Sequence, residues 1–211
     1  MNVDALKRVG RPDQQASEEL VRHIVDTATR LFISQGYAAT SIEQIAAAAG
    51  SGKQTIYRRF TSKEALFIEV INRQGQRMTE MAAAAHASGG SPLAVLRGIG
   101  RSMFDFMLEP EMIALHRILI AETARFPELG ELVLENCMGP FKELISTALQ
   151  EAKDAGDIRY DNAEHTQLQM MGVLASGPMQ KTLVGQDPFS SAADRESYFE
   201  TAWNIFLHGV A

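Results

Sequence analysis

Residues 40–60 read TSIEQIAAAAGSGKQTIYRRF. Ile42, Ile45, Ala46 and Ala49 recur at i, i+3, i+4 and i+7, the apolar face of a helix. Thr40 and Glu43 stand three apart at its start, the spacing of a capping box that satisfies two free amides. Gly50-Ser51-Gly52 breaks the pattern, and Ile56 and Phe60, four apart, mark the inner face of a second, shorter helix. The segment GSGKQT also has the look of a phosphate-binding loop. A Walker loop, however, requires glycine five residues before Gly52, Ser or Thr after Lys53, and a preceding strand. The chain has Ala47, Gln54 and a capped helix in those places. Two short helices joined by a glycine turn are instead a helix-turn-helix, whose second helix enters the DNA major groove.

The rest of the chain is helical in pattern as well. One stripe runs through Leu20, Ile24, Ala28, Leu31 and Phe32 and stops at Gly36. Thr61 and Glu64 form a second candidate capping box, ahead of a long helix from Lys63 to about Ala85. Pro92, Pro110 and Pro127 each suit a first helical position. Phe141, Leu144, Ile145, Ala148, Leu149 and Ala152 make the cleanest amphipathic stripe, and further helices are expected over roughly 161–176, bounded by Gly177-Pro178, and 193–209. No strand and no repeat stands out. The expected fold is all-α, with about nine helices. Its organisation is a flexible basic arm over 1–16, a three-helix DNA-binding domain over 17–64, and a larger ligand-binding and dimerisation domain over 65–211.

Composition narrows the classes. The 211 residues carry a net charge of −6, which alone argues against nucleic acid. The charge is unevenly placed. Residues 1–64 hold nine basic and seven acidic side chains, and Lys53, Arg58, Arg59 and Lys63 lie together without an intervening acid. The amino terminus lacks the apolar stretch of a secretory signal, and no run is long enough to span a membrane. A single cysteine, Cys137, excludes an internal disulfide, so the expected compartment is the cytoplasm. Nothing basic flanks Cys137, which argues against a redox sensor. There is no Gly-x-Ser-x-Gly elbow and no His-Glu-x-x-His, and the five histidines show no metal spacing. No enzyme activity, metal or cofactor is expected.

With these residues in view, TATRLFISQGYAATSIEQIAAAAGSGKQTIYRRFTSKEALF resembles the DNA-binding domain of TetR-family bacterial transcriptional regulators. The markers are Phe32, Gly36-Tyr37, Thr40, Ile45-Ala46, Ala49-Gly50, Thr55-Ile56-Tyr57, Phe60 and Ser62-Lys63-Glu64. LHRILIAETARFPELG at 115–130 looks more loosely like the regulatory half of the AefR-type subgroup. The resemblance implies phosphate anchoring by Thr40, Tyr57 and Lys63, in keeping with the affinity of hydroxyls and cations for phosphate oxygens. Three positions depart from the family pattern. Ser51 replaces a β-branched apolar residue, Gly52 replaces a serine cap, and Gln54 replaces a small residue. Ser51 gains a possible phosphate contact, and Gln54 can bond adenine N6 and N7 in bidentate fashion. Gln54 is therefore the expected base reader, with Lys53, Thr55 and Arg58 as helpers. Arg8 and Arg11 are expected to reach phosphates or the minor groove from the arm.

The resemblance also implies a homodimer built from the last two long helices, with Tyr198, Phe199, Trp203 and Phe206 as candidates for the seam. The same four residues equally suit the monomer core. Nine of the ten methionines lie beyond residue 77. Met78, Met81, Phe104, Met107, His116, Met138, Met170 and Met171 are candidates to line an effector pocket, with core filling the simpler use. The expected partners are a double-stranded palindromic operator, a small-molecule effector and a second copy of the chain, with no membrane. The function so read is a ligand-responsive repressor. The alternatives are a helical protein-interaction module and a DNA-binding protein without an effector.

Overall fold

The computed structural model describes residues 14–132 and 138–210. Among them the chain is helical throughout. The elements are α1 (Gln14–Gln35), α2 (Ile42–Ala48), α3 (Lys53–Tyr57), α4 (Lys63–Ala87), α5 (Pro92–Met107), α6 (Pro110–Thr123), α7 (Pro127–Leu132), α8 (Gly139–Asp154), α9 (Ala163–Met171), a π-helical turn (Gly172–Ser176), α10 (Gly177–Leu183) and α11 (Ala192–Val210). Two compact units, Met1–Val70 and Ile71–Ala211, divide the chain. The boundary falls inside α4 rather than at its start, and α1 takes in residues 14–16 of the expected arm.

The first unit is a three-helix fold closed by the first turns of α4. Phe32, Tyr37 and Phe67 form its aromatic centre, with ring centroids 5.1–5.5 Å apart. Ile45, Ala46, Ala49, Ile56 and Phe60 complete the core from α2 and α3. Small residues at 46 and 49 let the two short helices pack closely. Both expected caps are displaced by one residue, and only the first is a reciprocal capping box. Ser41, not Thr40, caps α2: its hydroxyl accepts from Gln44 N at 3.2 Å, and Gln44 Oε1 accepts from Ser41 N at 2.7 Å. Ser62, not Thr61, accepts from Ala65 N ahead of α4.

The second unit packs around one apolar cluster that includes Leu96, Ile99, Met103, Phe104, Phe141, Ile145, Leu149, Leu174, Phe199 and Trp203. α5 and α11 are laced along their exposed edge. Arg101 and Arg195 both bond Asp105, Arg101 also reaches Glu196, and Arg97 pairs with Glu200. Gly177-Pro178 does not end its helix as expected. A proline inside an α-helix removes a donor and clashes with the carbonyl four residues back. The π-turn over Gly172–Ser176 loosens the ladder at that point, and the chain continues through α10 to Leu183.

The turn between α2 and α3 is closed by backbone. Ser51 N donates to Ala46 O at 2.9 Å and Gly50 N to Ala47 O at 3.2 Å, the paired bonds of a Schellman ending. Gly50 has φ +59° and nothing within 4 Å of a built Cβ, so the demand there is conformational alone. Gly52, at φ −80°, has no such demand and caps α3 without a side chain. Gly50→Ala is therefore expected to cost about 1–2 kcal/mol. Gly52→Ser should instead add a few tenths of a kcal/mol by supplying the missing cap. Urea denaturation midpoints should move in opposite directions for the two variants.

Candidate nucleic-acid interface

α3 is held by its inner face and open on its outer one. Ile56 is fully buried and Phe60 nearly so, while Lys53, Gln54, Tyr57 and Arg58 are exposed, as the spacing predicted. Thr55 and Ser51 are half-buried. Arg58 N bonds Gln54 O at 3.0 Å and Phe60 N bonds Ile56 O at 2.8 Å, which fixes the direction of the outer side chains. Tyr57, 44% exposed, lies flat enough for Lys53 Nζ to sit 5.5 Å from its ring centroid. The result is a short platform of amide, guanidinium, ammonium and phenol groups. Such groups hydrogen-bond base edges and phosphates.

The cations near this platform differ in their commitments. Arg58 has no side-chain partner among the described residues. Lys53 pairs with Glu43 of α2, and Arg59 donates to the Ser17 hydroxyl on α1. Lys63 Nζ donates to Tyr37 O at 2.9 Å and Thr40 O at 3.1 Å, and sits 4.2 Å from the Tyr37 ring centroid. From sequence Glu43 is expected only as the capping partner of Thr40, and its pairing with Lys53, like that of Ser17 with Arg59, is not anticipated. Ten residues separate Glu43 from Lys53, and 42 separate Ser17 from Arg59, so only the tertiary fold reveals the pairs.

Two implied phosphate anchors have structural roles here. Thr40 is 1% exposed, and its hydroxyl reaches Gly36 O at 2.8 Å and Leu31 O at 3.3 Å. A hydroxyl has one proton to donate, and the oxygens within reach of this one are main-chain carbonyls, so Thr40 ties the α1–α2 connection together. Lys63 uses two of its three N–H groups on the same connection. Tyr57 remains outward. Glu64, next to Lys63, is held below the usual carboxylate range by its own backbone N–H, the Ser62 hydroxyl and the Tyr37 hydroxyl, against the opposing effect of burial. Arg8 and Arg11 of the arm lie outside the described residues, as does Cys137.

Residues 24–70 match the family described as bacterial regulatory proteins, tetR family, and residues 94–209 match the C-terminal domain of AefR-like transcriptional repressors. The chain belongs to the TetR family. The regulator AcrR of Shigella flexneri is 26% identical over 206 residues, covering 94% of each chain. A TetR-family regulator from Mesorhizobium loti superposes with a TM-score of 0.82 at 27% identity, over 92% of this chain and 98% of that one. The flavonoid-responsive regulator FrrA gives a TM-score of 0.71 at 25% identity, over 92% and 97%. TetR-family members are DNA-binding transcriptional regulators, not enzymes. Among the described residues no helix is long and apolar enough to cross a membrane.

In the second unit the structure brings the expected pocket residues into the core. Met78, Phe104 and Met170 are buried in the apolar cluster, and Met81, Met107, Met138 and Met171 pack against it. His116, on α6, is held below the usual histidine range by desolvation, partly opposed by a hydrogen bond at Met112. Two surface cavities, of about 440 and 360 Å³, are lined by other residues, among them Tyr160 and His165 in one and Arg117 and Phe189 in the other. The four expected seam residues also turn inward. Phe199, Trp203 and Phe206 are at most 3% exposed in the single chain, and Tyr198 stacks on Phe104 with 18° between the rings. The outward apolar residues of these helices are Leu168 on α9 and Ile205 on α11, at 54% and 59% exposure. A helical stripe gives the apolar face but does not show which of two neighbouring faces a partner chain covers.

Lys63→Ala is expected to lower stability by about 1–3 kcal/mol, because two carbonyls lose a charged donor. The unfolding midpoint in urea should fall accordingly. If the variant instead kept its stability and lost one unit of salt slope in DNA binding, Lys63 would be a phosphate contact after all.

Proposed function

We propose that the chain is a ligand-responsive repressor of the cytoplasm, binding a palindromic operator as a homodimer and released by a small-molecule effector. The observation that carries the DNA reading is α3 itself. Its apolar side is locked in the core, and an uncommitted amide and guanidinium, Gln54 and Arg58, stand on the outer side. Gln54 reads a base edge, with Lys53 and Thr55 as neighbours. Arg58, Tyr57 and Ser51 contact phosphates or flanking bases. The repressor reading is supported by the match of residues 94–209 to the AefR-like repressor domain. The effector reading draws support from the likeness to FrrA, whose described property is a response to flavonoids.

One helix-turn-helix spans too few base pairs for high specificity, and two-fold dimers read two half-sites about one helical turn apart. Leu168 and Ile205, outward on packed helices, are the residues proposed to meet a second copy, in place of the four inward aromatics. α4 links effector to operator, since it contributes residues to both units. Within the second unit it is bonded to the start of α6. Arg77 forms a bidentate pair with Glu109 at 2.7 and 2.8 Å, and Gln74 Nε2 donates to Glu111 at 2.6 Å. An effector that favours a different placement of α6 thereby shifts α4, and operator affinity falls by the same coupling free energy that lowers effector affinity on DNA.

The decisive experiment selects bound sequences from random duplex DNA and compares variants on the selected site. Gln54→Ala should cost about 1–3 kcal/mol at one base pair per half-site and relax the preference there. Arg58→Ala should weaken every sequence and reduce the salt slope by about one unit per protomer. Equal loss at all positions for Gln54→Ala would remove it from base reading. For the dimer, Ile205→Glu should convert the sedimenting species from dimer to monomer at micromolar concentration while leaving helicity unchanged. A wild-type chain that sediments as a monomer would count against the homodimer.

A further inference from the structure

Glu43 leaves α2 and reaches across the turn to Lys53, the first residue of α3. Both side chains are more than half exposed. An exposed pair of this kind adds little to stability, and the packing of α2 on α3 is already secured by Ala46, Ala49 and Ile56. Each partner nevertheless favours the other's charged form. The hydrogen bond from Lys53 lowers the carboxyl pKa of Glu43, and the bond to Glu43 raises the ammonium pKa of Lys53. The consequence concerns DNA rather than folding. In a helix-turn-helix the first residues of the second helix face the groove, so a carboxylate stands beside the element proposed to meet DNA.

The neighbouring cations make this position sensitive. Lys63 is committed to two carbonyls and Arg59 to Ser17, which leaves Lys53 on α3 and Arg58 at its C-terminus as the cations there that DNA can use. We infer that Glu43 is a specificity-determining residue that holds Lys53 away from phosphates on DNA of the wrong sequence. Non-specific binding is driven by cations that neutralise phosphates and release counterions. Lys53 can join in only by exchanging one anion, Glu43, for another, and the exchange leaves Glu43 facing the phosphates unpaired. On the operator, base contacts by Gln54 and Arg58 fix α3 in the groove. There the Lys53 ammonium meets base acceptors such as guanine O6 and N7, with Glu43 still beside it. The pair thus opposes the non-specific mode more than the specific one, a discrimination by selective repulsion.

The inference rests on α3 being the element that reads DNA. Its test uses the full chain and two duplexes of equal length, one selected from random sequence for binding and one of scrambled sequence, with fluorescence anisotropy over a salt series. Glu43→Gln keeps the length of the side chain and removes its charge. It is expected to tighten binding to the scrambled duplex about tenfold and to steepen its salt slope by about one unit per protomer. The selected duplex should gain less, so the specificity ratio shrinks. In a Lys53→Gln background the added slope should disappear. Thermal unfolding of Glu43→Gln separates any loss at the α2 N-terminus, where an acid is favourable, from the effect on DNA. Equal tightening on both duplexes, an unchanged slope, or an effect that persists without Lys53 overturns the role of Glu43 and leaves the DNA reading intact. A wild-type chain that binds neither duplex overturns the reading of α3, and this inference with it.

Discussion

The left-handed backbone at Gly50 is the constraint from which the first unit follows. It lets α2 end with two main-chain bonds and α3 begin three residues later. With so short a connection, α3 cannot choose its rotation freely. Ile56 and Phe60 must enter the core that α1, α2 and the start of α4 have formed around Phe32, Tyr37 and Phe67. Once they are in, Gln54 and Arg58 can only face outward. The chemistry of the platform is thus set by packing on its reverse side, and α3 does not need intrinsic stability, which a helix of five residues lacks.

This dependence explains what could be read from the chain and what could not. Apolar spacing gave the inner face of α3 and the helical class, because periodicity reports burial directly. Caps were displaced by one residue at both α2 and α4. In each case adjacent hydroxyls, Thr40-Ser41 and Thr61-Ser62, offered two candidates, and the geometry of the preceding turn made the choice. Thr40 was buried to close the α1–α2 connection, which left Ser41 as the cap. Lys63 looked like a surface cation because spacing says nothing about carbonyls 23 and 26 residues away. The four aromatics of α11 illustrate the same limit. Their spacing marks an apolar face correctly, yet whether a protomer's own α5 or another chain covers it is a tertiary fact, and here Phe104 and its neighbours cover it.

Charge follows a parallel logic. The chain carries −6 overall and only a small excess of basic residues in its first 64 positions. Counting suggests a weak nucleic-acid binder, and the pairing strengthens that impression, since three of the four clustered cations are already bonded within the protein. A regulator, however, is judged by the ratio of specific to non-specific affinity, because non-specific sites in a genome vastly outnumber operators. Cations committed to carbonyls and hydroxyls stabilise the domain without adding to indiscriminate phosphate attraction. A face with few free cations therefore costs affinity everywhere but preserves the share contributed by base contacts. On the proposed reading, the amide of Gln54 and the carboxylate of Glu43 would act in the same direction: one would add affinity where the bases match, and the other would withhold it where they do not.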